Sequence, residues 1–268
     1  MATINEILDR FEREYVPHLA ASTQKNYRYH IEVLRTEFGA RNADELKPRD
    51  FGPFLDVATG KSHRNRSLAV LSCAMSEAVG RWYMAERNVL RDVKRNPTHR
   101  RERYVTDEEF AAFKASASAR VGLAMELSLL TGQKQGAILG LLWTNVLPDG
   151  ILFRRGRRGK LLMVKMSPAV AHVLSQCRAL APQGPNVLST RAGTAYTGAG
   201  FRQNWQKAMD KALKGGVIAE RFTFNDLRAK SVIDSKSVGT AHRRLGLHDL
   251  STTQQLHDRD VRTAEPLR

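Results

Sequence analysis

The densest run of chemistry-bearing side chains is Arg154-Arg155-Gly156-Arg157-Arg158-Gly159-Lys160, where five of seven residues are cationic. A structural turn needs the glycines but not the charge. Crowding that much charge costs repulsion unless an anion relieves it, so phosphate binding is the chemistry this stretch suits. A second stretch, Arg221-Phe222-Thr223-Phe224-Asn225-Asp226-Leu227-Arg228-Ala229-Lys230, gathers cations and hydrogen-bonding groups behind two phenylalanines. A third, Leu245-Gly246-Leu247-His248-Asp249-Leu250-Ser251-Thr252-Thr253-Gln254-Gln255-Leu256-His257-Asp258-Arg259, carries two histidines around a hydroxyl run. Cys73 and Cys177 are too few and too far apart for a disulfide scaffold or a zinc site. No metal and no cofactor is expected.

The elements that position these groups are mostly helical. Thr3-x-x-Glu6 is a capping box, followed by Ile4, Ile7, Leu8, Phe11 and Tyr15 on one apolar face. A second helix is expected from Ser22, with Tyr27, Ile31, Leu34 and Phe38 inward and Gly39 as its stop. A short third helix opens at Lys47-Pro48, and a fourth runs from His63 to Trp82. Lys25, Arg28, Lys61, Arg64 and Arg66 sit near helix starts and loops of this bundle. They form either a solvated face or a set of phosphate contacts, and the net charge favours the second. Residues 93–105 lack an apolar face, are dense in charge, and read as a basic linker that lies against DNA, with Arg100 and Arg101 in it.

A second capping box, Thr106-x-x-Glu109, opens the next domain. A strongly apolar helix over Val121–Leu130 ends at Thr131-Gly132. Ile151-Leu152-Phe153 and Leu161-Leu162-Met163-Val164 predict a hairpin whose tip is the basic run. Helices are expected from Ser167, over Gly198–Leu213, and around Phe224–Ile233, Gly239–Leu245 and Thr252–His257, with a short strand at Val187-Leu188. Cys177 falls on a packed helix face and reads as a core residue.

Bulk properties agree on the partner. The 268 residues hold 43 Lys+Arg against 27 Asp+Glu, a formal charge of +16. The pI near 10.3 points to a polyanion, with double-stranded DNA first and an anionic membrane surface a distant second. No apolar run approaches the roughly 20 residues of a membrane span, and the N-terminus reads as no signal peptide, so a reducing, cytoplasmic, nucleoid-associated setting is expected.

The second and third stretches resemble the signature segments of the tyrosine recombinases, or phage integrases. In that family the former reads aromatic-Thr-x-His-Asp-Leu-Arg, and the latter reads Leu-Gly-His, a Ser/Thr run and then the nucleophilic tyrosine. Leu129-Leu130-Thr131-Gly132-Gln133-Lys134-Gln135-Gly136-Ala137 matches the frame of the family's first box. The resemblance spans nearly the whole chain. It implies a mainly α (α+β) architecture: a four-helix SAM-like core-binding domain over 1–92, the linker, and a tyrosine-recombinase-type catalytic domain with a small β-sheet over 106–268. Such enzymes clamp duplex DNA, attack a scissile phosphate through tyrosine, and need no metal.

The frame is matched while the chemistry is altered. Carried over position by position, Lys134 stands for the first arginine and Ala137 for the following acid. Arg157 falls at or beside the hairpin lysine that serves as general acid, and Asn225 stands for a histidine. Arg228 is kept, Leu247 replaces another histidine with His248 one place along as a substitute, and His257 occupies the tyrosine's place. Lysine keeps charge but loses the bidentate fork. Arginine does not readily release a proton, and asparagine cannot shuttle one. The tyrosines are Tyr15, Tyr27, Tyr29, Tyr83, Tyr104 and Tyr196, none in the C-terminal segment. The reading is therefore a DNA-binding, catalytically inactive regulator or non-cutting partner at a mobile element or prophage, as a homo-oligomer or beside a related recombinase. Its expected DNA contacts are Lys25, Arg28, Lys61, Arg64, Arg66, Arg100, Arg101, Arg154, Arg155, Arg158 and Lys160. Two alternatives stand beside it: an active integrase using His257, and an interaction protein that docks on a related recombinase.

Overall fold

The computed structural model describes residues 2–98, 101–155, 160–180 and 184–246, with Ser251, Thr253 and Gln254 beyond them. The chain divides into two compact units, Met1–Arg100 and Arg101–Arg268.

The first unit is all helical. Helix α1 (Ile4–Glu14) begins with the Thr3/Glu6 capping box, in which each side chain satisfies an amide left open at the helix start. Helices α2 (Ala21–Phe38), α3 (Gly52–Leu55) and α4 (Lys61–Glu77) follow, and α4 passes into one π turn over Ala78–Trp82. The short third helix begins as a 3-10 turn over Pro48–Phe51. The apolar repeats meet in one core of α1, α2 and α4, where Phe11, Leu34, Leu68, Leu71 and Met75 are buried. Each such side chain contributes about 1.5–3 kcal/mol. Gly39 caps α2 for a reason other than the expected left-handed stop. Its backbone is right-handed. An added Cβ there would collide with Asn5 Oδ1 and the Arg35 carbonyl, so close approach of α1 demands the glycine.

The second unit opens with α5 (Asp107–Ser116), capped by the Thr106/Glu109 box, and α6 (Ala119–Thr131). After α7 (Gln135–Leu139) come β1 (Val146–Leu147), β2 (Gly150–Arg155) and β3 (Lys160–Lys165), an antiparallel sheet in that order. Ile151 pairs with Val164 and Phe153 with Leu162, which is the register the alternating apolar residues require. Helices α8 (Pro168–Leu180), α9 (Gly198–Lys214), α10 (Phe224–Ile233) and α11 (Val238–Leu245) complete the described elements. Val187-Leu188 forms no strand; isolated bridges at Asn186 and Ser189 flank it. Cys177 is in the core, and burial pushes its thiol up to about 12.

Helix α10 is the hub of this unit and is not amphipathic. From Asp226 to Ile233 every residue is buried, including Asp226, Arg228, Lys230 and Ser231. The 93–105 segment is tied down at both ends. Arg95 donates to the Asn65 and Leu68 carbonyls, and Asn96 exchanges hydrogen bonds with Asn65, all within the first unit. In the second unit Arg101 pairs with Asp226 at 2.8 Å, and Val105 is fully buried.

Candidate active-site frame and basic surfaces

The frame begins where α6 stops. Gly132 caps the helix at φ +66°, a left-handed conformation that glycine reaches without strain. An added Cβ there would stand 2.8 Å from Leu245 Cδ2 and 3.3 Å from Ser231 Oγ, so the turn is pressed against both α10 and α11. Gln133 stitches it further: its Nε2 donates to the Arg244 and Thr131 carbonyls, both at 3.1 Å, while its own carbonyl accepts from Ser128 Oγ. Lys134 then projects from the N-cap of α7, exposed.

Arg228 approaches the same turn from α10. It is 7% exposed, and its guanidinium donates to the Gly132 carbonyl. Asn225, three residues earlier, is exposed at the start of α10. Neither Asn225 nor Lys134 makes a side-chain hydrogen bond or ion pair among the described residues. Asp226, between Asn225 and Arg228, is 2% exposed and accepts from the Thr223 amide at 2.8 Å and hydroxyl at 2.9 Å as well as from Arg101. Helix α11 is held to α10 by Arg244, which donates to the Ser231 carbonyl and the Ser235 hydroxyl. Burial draws the Arg244 guanidinium below its usual range. His242 Nδ1 lies 3.0 Å from Thr253 Oγ1, linking α11 to the described part of the tail. The structure thus brings Lys134 and Arg228 to the turn between α6 and α7, with Asn225 on the first turn of α10. Leu247, His248 and His257 lie outside the described residues.

Lys230 was not singled out by sequence reasoning, yet it organises one side of this frame. Its side chain is fully buried, and its Nζ lies 2.6 Å from Asp107, 3.0 Å from Asp234 and 3.2 Å from the Tyr104 hydroxyl. Burial pulls its pKa down, but the hydrogen bonds it donates to Asp107, Tyr104 and Asp234 outweigh it and hold the pKa above the usual lysine value. Tyr104 donates in turn to Asp234 at 2.8 Å. Burial first, then the Asp234 acceptor, keeps its hydroxyl above the ordinary phenol range against the pull of Lys230. Only the i, i+4 spacing of Lys230 and Asp234 was visible in the sequence.

The basic positions fall into distinct settings. On the hairpin, Arg154 is exposed, and Arg155 and Lys160 are backbone partners in the ladder. Arg157 and Arg158 lie outside the described residues, as does Arg100. Arg101 is committed to Asp226 and to the Arg221 carbonyl. In the first unit Lys25, Lys61 and Arg66 are exposed, Arg28 pairs with Glu12 at 3.5 Å, and Arg64 donates to the Phe54 carbonyl above the Phe54 ring. Beside them His30 is buried with Nδ1 2.9 Å from Ser67 Oγ, and its ring lies 4.6 Å from that of His63. Burial, then the charges of His63 and Arg66, lower the His30 pKa.

No protein-family model matches the chain. The integrase of Escherichia phage lambda is 22% identical to it over 247 residues, covering 85% of this chain and 67% of that protein. Among solved structures, a lambda integrase dimer bound to a COC' core site superposes with a TM-score of 0.85 at 17% identity, over 100% of this chain and 99% of that one. The chain shares the fold of this tyrosine-recombinase integrase. The Tn1549 transposon integrase, solved with circular intermediate DNA, gives a TM-score of 0.79 at 13% identity, covering 96% of this chain and 95% of that one. Of the three described frame residues, Arg228 is buried and ties α10 to the Gly132 turn, while Lys134 and Asn225 are exposed. No described helix is long and apolar enough to cross a membrane.

Proposed function

We propose that this chain binds duplex DNA without cutting it, as a regulator or non-cutting partner at a mobile element or prophage. The observation that carries the reading is the split within the frame. Arg228, which keeps the family's residue, is buried and holds the Gly132 turn to α10, so folding alone maintains it. Lys134 and Asn225, which depart from the family, are exposed and bind nothing among the described residues, so nothing but catalysis would have held them to arginine and histidine. Loss of chemistry with the scaffold kept is the pattern of a protein selected for its surface.

The nucleophile supports the same reading. No tyrosine follows Tyr196, and the two in the second unit are poorly suited to attack phosphate. Tyr104 is held by Asp234 and Lys230. Burial keeps the Tyr196 hydroxyl protonated above the ordinary range against the pull of Arg120 and Arg191. A phosphoryl acceptor must be activated and aligned to work, and neither phenol is. Lambda integrase and the Tn1549 integrase were both solved on DNA, the former as a dimer, which supports duplex DNA and a second subunit as partners. The exposed Lys25, Lys61, Arg66 and Arg154 would supply phosphate contacts.

The test is binding and cleavage on one DNA set. Affinity for duplex DNA should fall steeply and linearly on logarithmic axes as salt rises. A suicide substrate should yield no covalent protein–DNA adduct on a denaturing gel. An adduct that disappears in His257→Ala would restore the integrase reading, and absence of both binding and adduct would favour docking on another recombinase.

A further inference from the structure

The turn between α5 and α6, the loop after Ser189 and one flank of α9 enclose a cleft of about 690 Å³. Arg120, Arg191, Lys207 and Lys211 line it beside the Tyr196 ring, and among the described residues no carboxylate does. Arg120 is built into place: its Nε donates to the Ser189 carbonyl at 2.9 Å and its guanidinium reaches the Leu180 carbonyl at 3.3 Å. Those carbonyls orient the guanidinium without cancelling its charge. Acids of the neighbouring helices are taken elsewhere, Glu126 by Lys114 and Asp210 by Arg221. Ser118, the N-cap of α6, also lines the cleft without capping its own helix by a side-chain hydrogen bond, so the positive end of α6 adds to the same field.

Four cations around one open volume repel each other unless an anion sits between them. Two arginines and two lysines combine fork-shaped donors with compact point charges, the mixture that suits phosphate oxygens. The volume has room for several phosphates in a row. Helix α6 separates this cleft from Lys134 and Arg228, since its 13 residues span about 18 Å between the two ends. We propose that the cleft is a second phosphate-binding site, taking a run of nucleic-acid backbone or a free polyphosphate. It stands apart from the frame, and it holds whether or not the chain cuts DNA.

Calorimetric titration of the full chain with inorganic tripolyphosphate tests it. The expected result is saturable binding that weakens at least about tenfold in the Arg191→Glu/Lys207→Glu/Lys211→Glu variant. A control that reverses the same charge in the first unit at positions outside the expected DNA contacts, Arg81→Glu/Arg87→Glu/Arg91→Glu, should change it by less than about twofold. All six positions are exposed, and circular dichroism verifies that both variants fold. Non-saturating binding, or equal weakening in the control, would overturn the site, because the net charge alone would then explain the interaction. A competing duplex identifies the source: displacement of tripolyphosphate by duplex from both the wild type and the first-unit control assigns nucleic-acid backbone. Retention of tripolyphosphate beside bound duplex assigns a free polyphosphate.

Discussion

The two units bury their central helices in opposite ways. In the first, α2 and α4 meet through an apolar stripe, and the notable polar pair in the interior is His30 with Ser67. In the second, α10 carries Asp226, Arg228, Lys230 and Ser231 inside the protein, tied to Arg101, the Gly132 carbonyl, Asp107 and Asp234, and Arg244. A buried polar group is stable only with its partners in place. The second unit is therefore sensitive to loss of single polar contacts, while the first responds mainly to loss of apolar volume. On the proposed reading, the difference would let the frame outlast its chemistry, because the buried Arg228 also ties α10 to the Gly132 turn.

The sharpest way to break this contrast is Lys230→Ala. It removes a fully buried side chain and leaves Asp234 and the Tyr104 hydroxyl without their cation, at an expected cost of about 3 kcal/mol. Urea denaturation should show the loss in the second unit, followed through Trp143 and Trp205, with the first unit's Trp82 environment unchanged. A loss under about 1 kcal/mol would mean the buried network contributes little. Gly132→Ala should cost about 2 kcal/mol in the same unit, from positive φ and the approach of Leu245. It should also displace Lys134, visible as reduced protection of the α6–α7 amides in hydrogen exchange. Thr106→Ala and Thr3→Ala remove one capping box from each unit and should each cost about 1 kcal/mol, because the local device is the same. A large disparity between them would show that the units differ in more than their central helices.

The smallest effect expected is a pH response of the first unit. The folded pKa of His30 lies below its ordinary 6.5, so the folded state binds fewer protons than the unfolded chain. Stability is full above pH 6.5 and declines as pH falls through the lowered value, since protonation places a charge beside His63 and Arg66. Denaturation midpoints of the first unit between pH 7.5 and about 5 should fall in the wild type and flatten in His30→Gln. A slope unchanged by that substitution would assign the response to other groups.

How much of this was legible in the sequence depended on whether a feature is local. The capping boxes at Thr3 and Thr106, the apolar stripes of α1 and α4, and the β2–β3 hairpin each rest on residues within a few positions of one another, and each is present. Helix α10 was legible as a helix but not as a hub. Charged residues read as solvent-facing until their partners, Tyr104 and Asp107 far upstream, are known. Arg95 and Arg101 read as linker charge for the same reason, although both are tied into folded units. The α9 cleft was invisible because its cations come from three separated segments, none of them unusually basic alone. Asn225, Lys134 and Arg228 were found only because their spacing matched a family frame; their types alone name no chemistry.

The central claim is that the frame is intact and the chemistry is gone. Covalent adduct yield on a suicide substrate tests it most directly, comparing the wild type with a variant that restores the family's groups, Lys134→Arg/Arg157→Lys/Asn225→His/Leu247→His/His257→Tyr. The account predicts that both proteins bind the DNA equally and that only the restored variant forms an adduct. An adduct formed by the wild type and lost in His257→Ala would contradict it.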